Sequence, residues 1–174
     1  MAKLTAAQIK EQTKKVKDAI AKHKRDNKEE NFTALSDEEI GDKLKRTKSP
    51  MIVSQGWSNT TPGGTFNYSV GLLNPDPTAA ASLYVHVWVR SGNADPMVGT
   101  FLLNVDPRFP RLTQPGPFGV SLPASGGSTT LNFSIKVPAS VEKSNYLGNS
   151  CLMQISYHDI GQYLDRGCFP FVVA

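Results

Sequence analysis

The chain has 174 residues, with 19 Lys and Arg against 15 Asp and Glu, a formal net charge of +4 and 39% hydrophobic residues. No run approaches the roughly 18 apolar residues of a membrane span. The lead Met1-Ala2-Lys3-Leu4-Thr5 passes into Lys- and Gln-rich sequence without the apolar core of a secretory signal. The expected compartment is the cytoplasm or a virion or similar particle, with a mature secreted form that has lost its signal as the alternative.

Composition breaks near Pro50. Residues 1–50 hold 13 of the 19 Lys and Arg, 9 of the 15 Asp and Glu, and a single aromatic, Phe32. Residues 51–174 hold both Trp, 13 of the 14 Gly, 11 of the 12 Pro and six charges of each sign, so the net charge belongs entirely to the first stretch. Two bodies are expected: a charged helical arm over residues 1–50 and a β domain over residues 51–174.

Leu4-Thr5-Ala6-Ala7-Gln8-Ile9 opens the arm with Thr5 at an N-cap, Gln8 closing a capping box and Leu4 stapling to Ile9. Helix formers continue through Lys24, but apolar positions are sparse: Ile9, Val16 and Ile20, widened by Ala6 and Ala19. The same start signal recurs at Ser36 with Glu39, where Leu35 can staple to Ile40. Asp37, Glu38 and Glu39 suit the positive end of that second helix, and Lys43, Lys45 and Arg46 its negative end. Asp26 to Asn31 is the expected break between them. With so few aliphatics the arm reads as a tether or partner-docking segment, dispensable for folding of the β domain. The alternative is electrostatic. Lys10, Lys14, Lys15, Lys17, Lys22, Lys24, Arg25 and Lys28 make a Lys-rich helix able to contact nucleic-acid phosphates, with no aromatic for base stacking.

Beyond Pro50 the residues alternate in short runs. An opening strand is expected near Ile52–Trp57. Phe66, Tyr68, Val70 and Leu72 then alternate with Asn67, Ser69 and Gly71, and Asn74-Pro75-Asp76-Pro77 ends that strand. Leu83, Val85, Val87 and Val89 alternate with Tyr84, His86, Trp88 and Arg90. Met97, Phe101, Leu103 and Val105 suggest another strand, and a short one is expected near Val120. Leu131, Phe133, Ile135 and Val137 follow the turn at Ser125-Gly126-Gly127, and the last runs are Cys151 to Tyr157 and Cys168 to Val173. Seven or eight strands with turn signals between them predict a mainly β protein, an antiparallel sandwich preceded by the helical arm.

The runs Thr65–Leu73 with Asn74-Pro75-Asp76-Pro77, Leu83–Arg90, and Gly126–Val137 ending in Pro138 resemble the immunoglobulin-like β-sandwiches of the bacterial adhesion and CARDB type. The resemblance covers residues 52–173 and excludes the arm. The antibody-type Cys…Trp…Cys order is absent, since both cysteines follow both tryptophans. The resemblance implies a recognition or structural role and carries over no functional residue.

Chemistry-bearing motifs are few. A reversal at Asp159–Gly161 would set Cys151 opposite Cys168, yet alternation puts Cys168 opposite in phase to Phe169, Phe171 and Val173, so both face inward only across a bulge. A disulfide and two reduced thiols are the alternatives. His86, His158, Asp159 and the cysteines lack any metal-ligand spacing, so no metal or cofactor is expected. Neither a Gly-x-Ser-x-Gly elbow nor a phosphate loop is present, and no enzyme activity is expected.

Two surfaces stand out instead. If the aliphatics of Leu83–Val89 face the core, Tyr84, His86, Trp88 and Arg90 form an outward aromatic stripe of the kind enriched at interfaces; the alternative makes Trp88 the core tryptophan. The proline-rich stretch Asp106–Pro117 offers Arg108, Phe109 and Arg111 as contacts, or is a plain crossover with Phe109 tucked beneath it. The expected function is a non-enzymatic interaction or assembly module, a subunit or surface component of a larger particle, with a protein partner or a second copy. A nucleic-acid-associated protein using the arm is the alternative, and a carbohydrate-binding module using Tyr84 and Trp88 is the third reading.

Overall fold

The computed structural model describes residues 3–91, 101–103, 119–137, 139–154 and 163–174. Both capping boxes form. Thr5 Oγ1 accepts from the Gln8 N–H at 3.2 Å while Gln8 Oε1 accepts from the Thr5 N–H at 2.9 Å, opening α1 (Ala6–Asp26). Ser36 and Glu39 repeat the exchange at 3.2 and 3.1 Å to open α2 (Asp37–Arg46), and these bonds hold the Glu39 carboxyl below its ordinary pKa. Between the helices lies β1 (Asn31–Ala34). After Pro50 come β2 (Met51–Trp57), β3 (Thr65–Asn74), β4 (Ala81–Ser91), β5 (Phe101–Leu103), β6 (Gly119–Leu122), β7 (Gly127–Lys136), β8 (Ser144–Gln154) and β9 (Tyr163–Val173).

The strands form two antiparallel sheets. Sheet A runs β1-β2-β3-β7; sheet B runs β5-β4-β8-β9, with β6 pairing the stretch of β4 that β5 leaves uncovered. The eight described strands after Pro50 agree with the expected count, and the arm supplies a ninth. Of the strand expected from Met97 to Val105, residues 101–103 are described. The Cys151–Tyr157 run starts earlier than expected, at Ser144, and is described only to Gln154.

Alternation sets the core between the sheets. Phe66, Tyr68, Val70 and Leu72 from β3 meet Leu83, Val85 and Val87 from β4 and Phe169, Phe171 and Val173 from β9. Aromatic rings dominate: Tyr68 stacks on Phe169 at 4.4 Å, Phe66 packs on Phe171 at 4.5 Å, and Trp57 leans on Phe169 at 5.8 Å. Gly148 is opposite Phe169 in the ladder, and a Cβ at Gly148 would run into that ring. One polar cluster crosses the core. Tyr68 donates from its hydroxyl toward Ser150 Oγ at 2.7 Å and Gln55 Oε1 at 2.8 Å, and Gln55 Nε2 donates to the Cys168 carbonyl at 3.3 Å. Burial drives the Tyr68 phenol far above its ordinary pKa, so it stays a neutral donor.

A second apolar cluster lies on the opposite face of sheet A. Val16, Ile40 and Leu44 from the helices, with Leu4, close over Met51 and Val53 of β2 and Leu73 of β3. The molecule is therefore three layers deep: helices, sheet A, sheet B. The arm expected as a tether or docking segment is thus packed on sheet A. The arm lacks a core when alone, but sheet A presents the apolar surface it needs, and β1 adds a strand to the β2 edge with Phe32 opposite Gly56. All seven residues of β2 are buried, as expected of a strand covered on both faces.

Candidate interaction surfaces

Sheet B offers the first surface. In β4, Leu83, Val85 and Val87 are all 0% exposed, in the phase expected from their alternation, while Tyr84 is half-buried. Residues 84, 86, 88 and 90 occupy positions of the opposite parity. The ladder pairs them across β8 with Met153, Cys151, Asn149 and Leu147, and Trp88 also pairs with Leu102 of β5. One face of sheet B thus gathers these positions from three strands. It is not uniformly open: Cys151 shares that parity and is fully buried. Arg108, Phe109 and Arg111 lie outside the described residues, as do His158 and Asp159.

The arm supplies the second surface. Lys10, Lys14, Lys17, Lys22, Lys24 and Arg25 are exposed, and so is Lys28. Lys15 departs from the others. Its Nζ donates to the Ser125 carbonyl at 2.6 Å and to Ser125 Oγ at 3.1 Å, and it also meets Glu11 at 3.2 Å. Lys15 is thus a docking residue of the fold rather than an open arm contact. The turn it holds has left-handed backbone at Ser125 (φ 55°) and Gly126 (φ 88°), which brings the turn against the helix.

The underside of α1 is more polar than its sparse aliphatics suggest. His23 is 2% exposed, with Nδ1 2.6 Å from Ser54 Oγ and Nε2 2.8 Å from Ser69 Oγ. Its ring also meets Phe32 edge-on at 5.0 Å. Burial lowers the His23 pKa from 6.5, with Glu29 and Asp26 opposing that shift. Gly71 leaves room for this contact, since a Cβ there would collide with Ser54 Oγ and crowd His23 Nδ1. Gln12, 2% exposed, reaches Ser125 Oγ at 3.4 Å. Sequence reasoning passed over both residues, although positions 12 and 23 fall in the same helical sector as Ile9, Val16 and Ile20. Below α2, Lys43 Nζ meets both Asp165 oxygens at 3.0 and 2.8 Å, and Asp165 Oδ2 also accepts from the Ile52 N–H at 2.8 Å.

The cysteines do not meet as expected. Cys151 is opposite Arg166 and Cys168 is opposite Asn149, so the ladder sets the two cysteines two residues out of register. The bulge that would turn Cys168 inward is not there: the ladder is regular from Ser144 and Val173 to Leu152 and Asp165, through Pro170, and Cys168 is exposed while Phe169, Phe171 and Val173 are buried. A groove of about 530 Å³ opens beside the α1–β1 connection, lined by Lys28, Glu29, Glu30, Ser58, Asn67 and Asn132 among others. It lies on sheet A, away from the Tyr84 and Trp88 positions. Among the described residues, no three His, Cys, Asp or Glu side chains converge as a metal site would need, and no helix is long and apolar enough to cross a membrane.

No protein-family model matches the chain, and no curated protein matches it. Among solved structures it is similar to the Pseudomonas fluorescens alkylpurine DNA glycosylase AlkC bound to abasic-site DNA, at 12% identity and a TM-score of 0.48, over 77% of this chain and 32% of that one. It is also similar to the Bacillus subtilis sporulation control protein Spo0M, at 10% identity and a TM-score of 0.45, over 73% and 50%. A CARDB domain from Pyrococcus furiosus, in complex with di-metal ions, matches at 11% identity and a TM-score of 0.42, over 72% and 86%. The chain thus spans a third to a half of the first two proteins.

Proposed function

We propose that this chain is a non-enzymatic interaction or assembly module, built as an immunoglobulin-like sandwich with a docked helical layer, and that it binds a protein partner or a second copy through the outer face of sheet B. The supporting observation is the phase of β4. With Leu83, Val85 and Val87 in the core, residues 84, 86, 88 and 90 occupy the positions of opposite parity along that strand. Aromatic and Arg residues supply most of the binding energy in interfaces. The β region also carries only six charges of each sign in its 124 residues, which resists self-association weakly.

Native mass spectrometry and sedimentation of the full chain test this reading, with Trp88→Ala beside the parent. The expected result is a complex that dissociates at least about tenfold more readily in the variant, as for an interface hot spot, while the monomer keeps its melting temperature. A cost to the monomer of about 3–5 kcal/mol, the range for a buried aromatic, would make Trp88 a core residue and remove the proposed face.

A further inference from the structure

The docked arm separates its charges, and this separation makes a third surface. At about 100° per residue, Lys10, Lys14, Lys17, Lys24 and Arg25 fall within one sector of α1 roughly 100° wide. All five are exposed, and the buried Gln12, Val16 and His23 lie on the other side of the helix. The three acidic residues of α1, Glu11, Asp18 and Asp26, fall outside that sector, on the flank where Lys15 pairs with Glu11 at 3.2 Å. Within the sector only Lys17 makes an ion pair among those described, at 3.5 Å from Asp37, with side chains 51% and 83% exposed. So exposed a pair is worth at most about 1 kcal/mol and yields readily to a competing anion. From Lys10 to Arg25 the row runs about 22 Å at 1.5 Å per residue.

We infer that this outer face of α1 is a contact surface for the sugar–phosphate backbone of double-stranded nucleic acid, bound without regard to sequence. This goes beyond the protein-interaction reading and uses a different face. A row of cations spaced one to two helical turns apart from Lys10 to Lys24 suits a polyanion carrying a charge every ~1.7 Å of its axis. Beside the cations the sector holds only Ala6, Ala7 and Ala21, so it has no Leu, Phe or Trp to enter a lipid surface. It also has no aromatic ring on which single-stranded bases would stack, which favours a duplex.

The test is fluorescence anisotropy of the full chain with a 20-base-pair duplex of arbitrary sequence at 50 and 200 mM salt. About four phosphate contacts would weaken binding roughly 100-fold over that range. Lys10→Glu with Lys14→Glu should weaken binding at 50 mM at least tenfold and flatten the salt dependence by about two contacts. The control Lys136→Glu with Lys143→Glu, on the sandwich, should change it less than threefold. A Lys10→Gln, Lys14→Gln pair should show a smaller loss and guards against misfolding of the Glu variant. Absence of binding at 50 mM, an equal loss in the control, or equal affinity for phosphatidylserine vesicles or poly-glutamate would each overturn the inference.

Discussion

The two faces of sheet A are packed by different means, and the contrast shows how a charged segment becomes part of a fold. Toward sheet B the contact is aromatic and dry, with Tyr68, Phe66, Phe169 and Phe171 stacked within 4.4–6.5 Å and one closed polar cluster around Tyr68. Toward the helices only seven buried apolar residues cluster. The remaining fit is polar and depends on small residues: His23 between two serines, Lys15 on the Ser125 turn, Lys43 on Asp165, and Gly71 making room. The first face follows the rule of burying apolar area; the second uses hydrogen bonds to fix where a mostly hydrophilic helix sits, although Gln12 Oε1 and Asn27 Oδ1 are buried there without a hydrogen-bond partner.

Removing residues 3–48 gives the strongest test of that contrast. Loss of Val16, Ile40 and Leu44 uncovers Met51, Val53 and Leu73, each side chain representing about 1.5–3 kcal/mol of burial before the entropy of ordering the arm is set against it. Urea unfolding should show a net loss above about 2 kcal/mol, outside the range of surface effects. An unchanged midpoint would mean that the helical layer contributes nothing. Leu44→Ala, a single change at a 0%-exposed site, should cost about 2–5 kcal/mol. On the aromatic face, Tyr68→Phe leaves Gln55 and Ser150 without their shared hydroxyl and should cost about 1–3 kcal/mol by denaturant unfolding.

Between pH 7 and 5 the His23 contact gives the helical layer a pH dependence; the raised pKa of Tyr68 on the aromatic face acts only in the alkaline range. Because burial lowers the folded pKa of His23, the unfolded chain takes up the proton first as the solution is acidified. This contribution to stability is complete above the ordinary value of 6.5 and declines as pH falls below it. The slope cannot exceed about 1.4 kcal/mol per pH unit. Asp26 and Glu29 soften it; neither β2 nor β3, the strands beneath the ring, nor β1 carries a charged residue to add to it. Stability curves between pH 7 and 5 should therefore flatten in His23→Gln, and parallel curves would show that His23 does not couple. The smallest effect belongs to Lys17→Ala, whose exposed ion pair with Asp37 should contribute less than about 0.5 kcal/mol in thermal melts.

Several strands after Pro50 were legible because they keep their period in sequence: Leu83, Val85 and Val87 on one side in β4, Phe169, Phe171 and Val173 likewise in β9. Both helix starts were legible from the Thr5–Gln8 and Ser36–Glu39 boxes. The docking of the arm was not, since its key contacts are made by His23, Gln12 and Lys15, which hydropathy counts as solvent-facing. A signal did exist on the partner side. Met51-Ile52-Val53 breaks alternation, and in the structure all of β2 is buried, which marks a strand with a layer on each face. The four residues Asn31–Ala34 are too short to show a period and become a strand only because β2 offers its edge. At the candidate surface, the phase of β4 could be read in advance, whereas the burial of Cys151 depends on neighbours no local pattern reveals.

The same short strand sets how the chain behaves in a crowd. β1 occupies one edge of β2, and backbone bonds from Thr60 to Val172 and from Ala174 to Thr60, at 2.9 and 2.8 Å, occupy the C-terminal end of the outer edge of β9. Each is a stopper on a row of N–H and C=O groups that would otherwise template another strand. A protease cutting between Ala34 and Ser36 would need to release only four residues of pairing to lay bare the Ser54–Trp57 edge. An edge so uncovered is open to pairing with a strand of another chain.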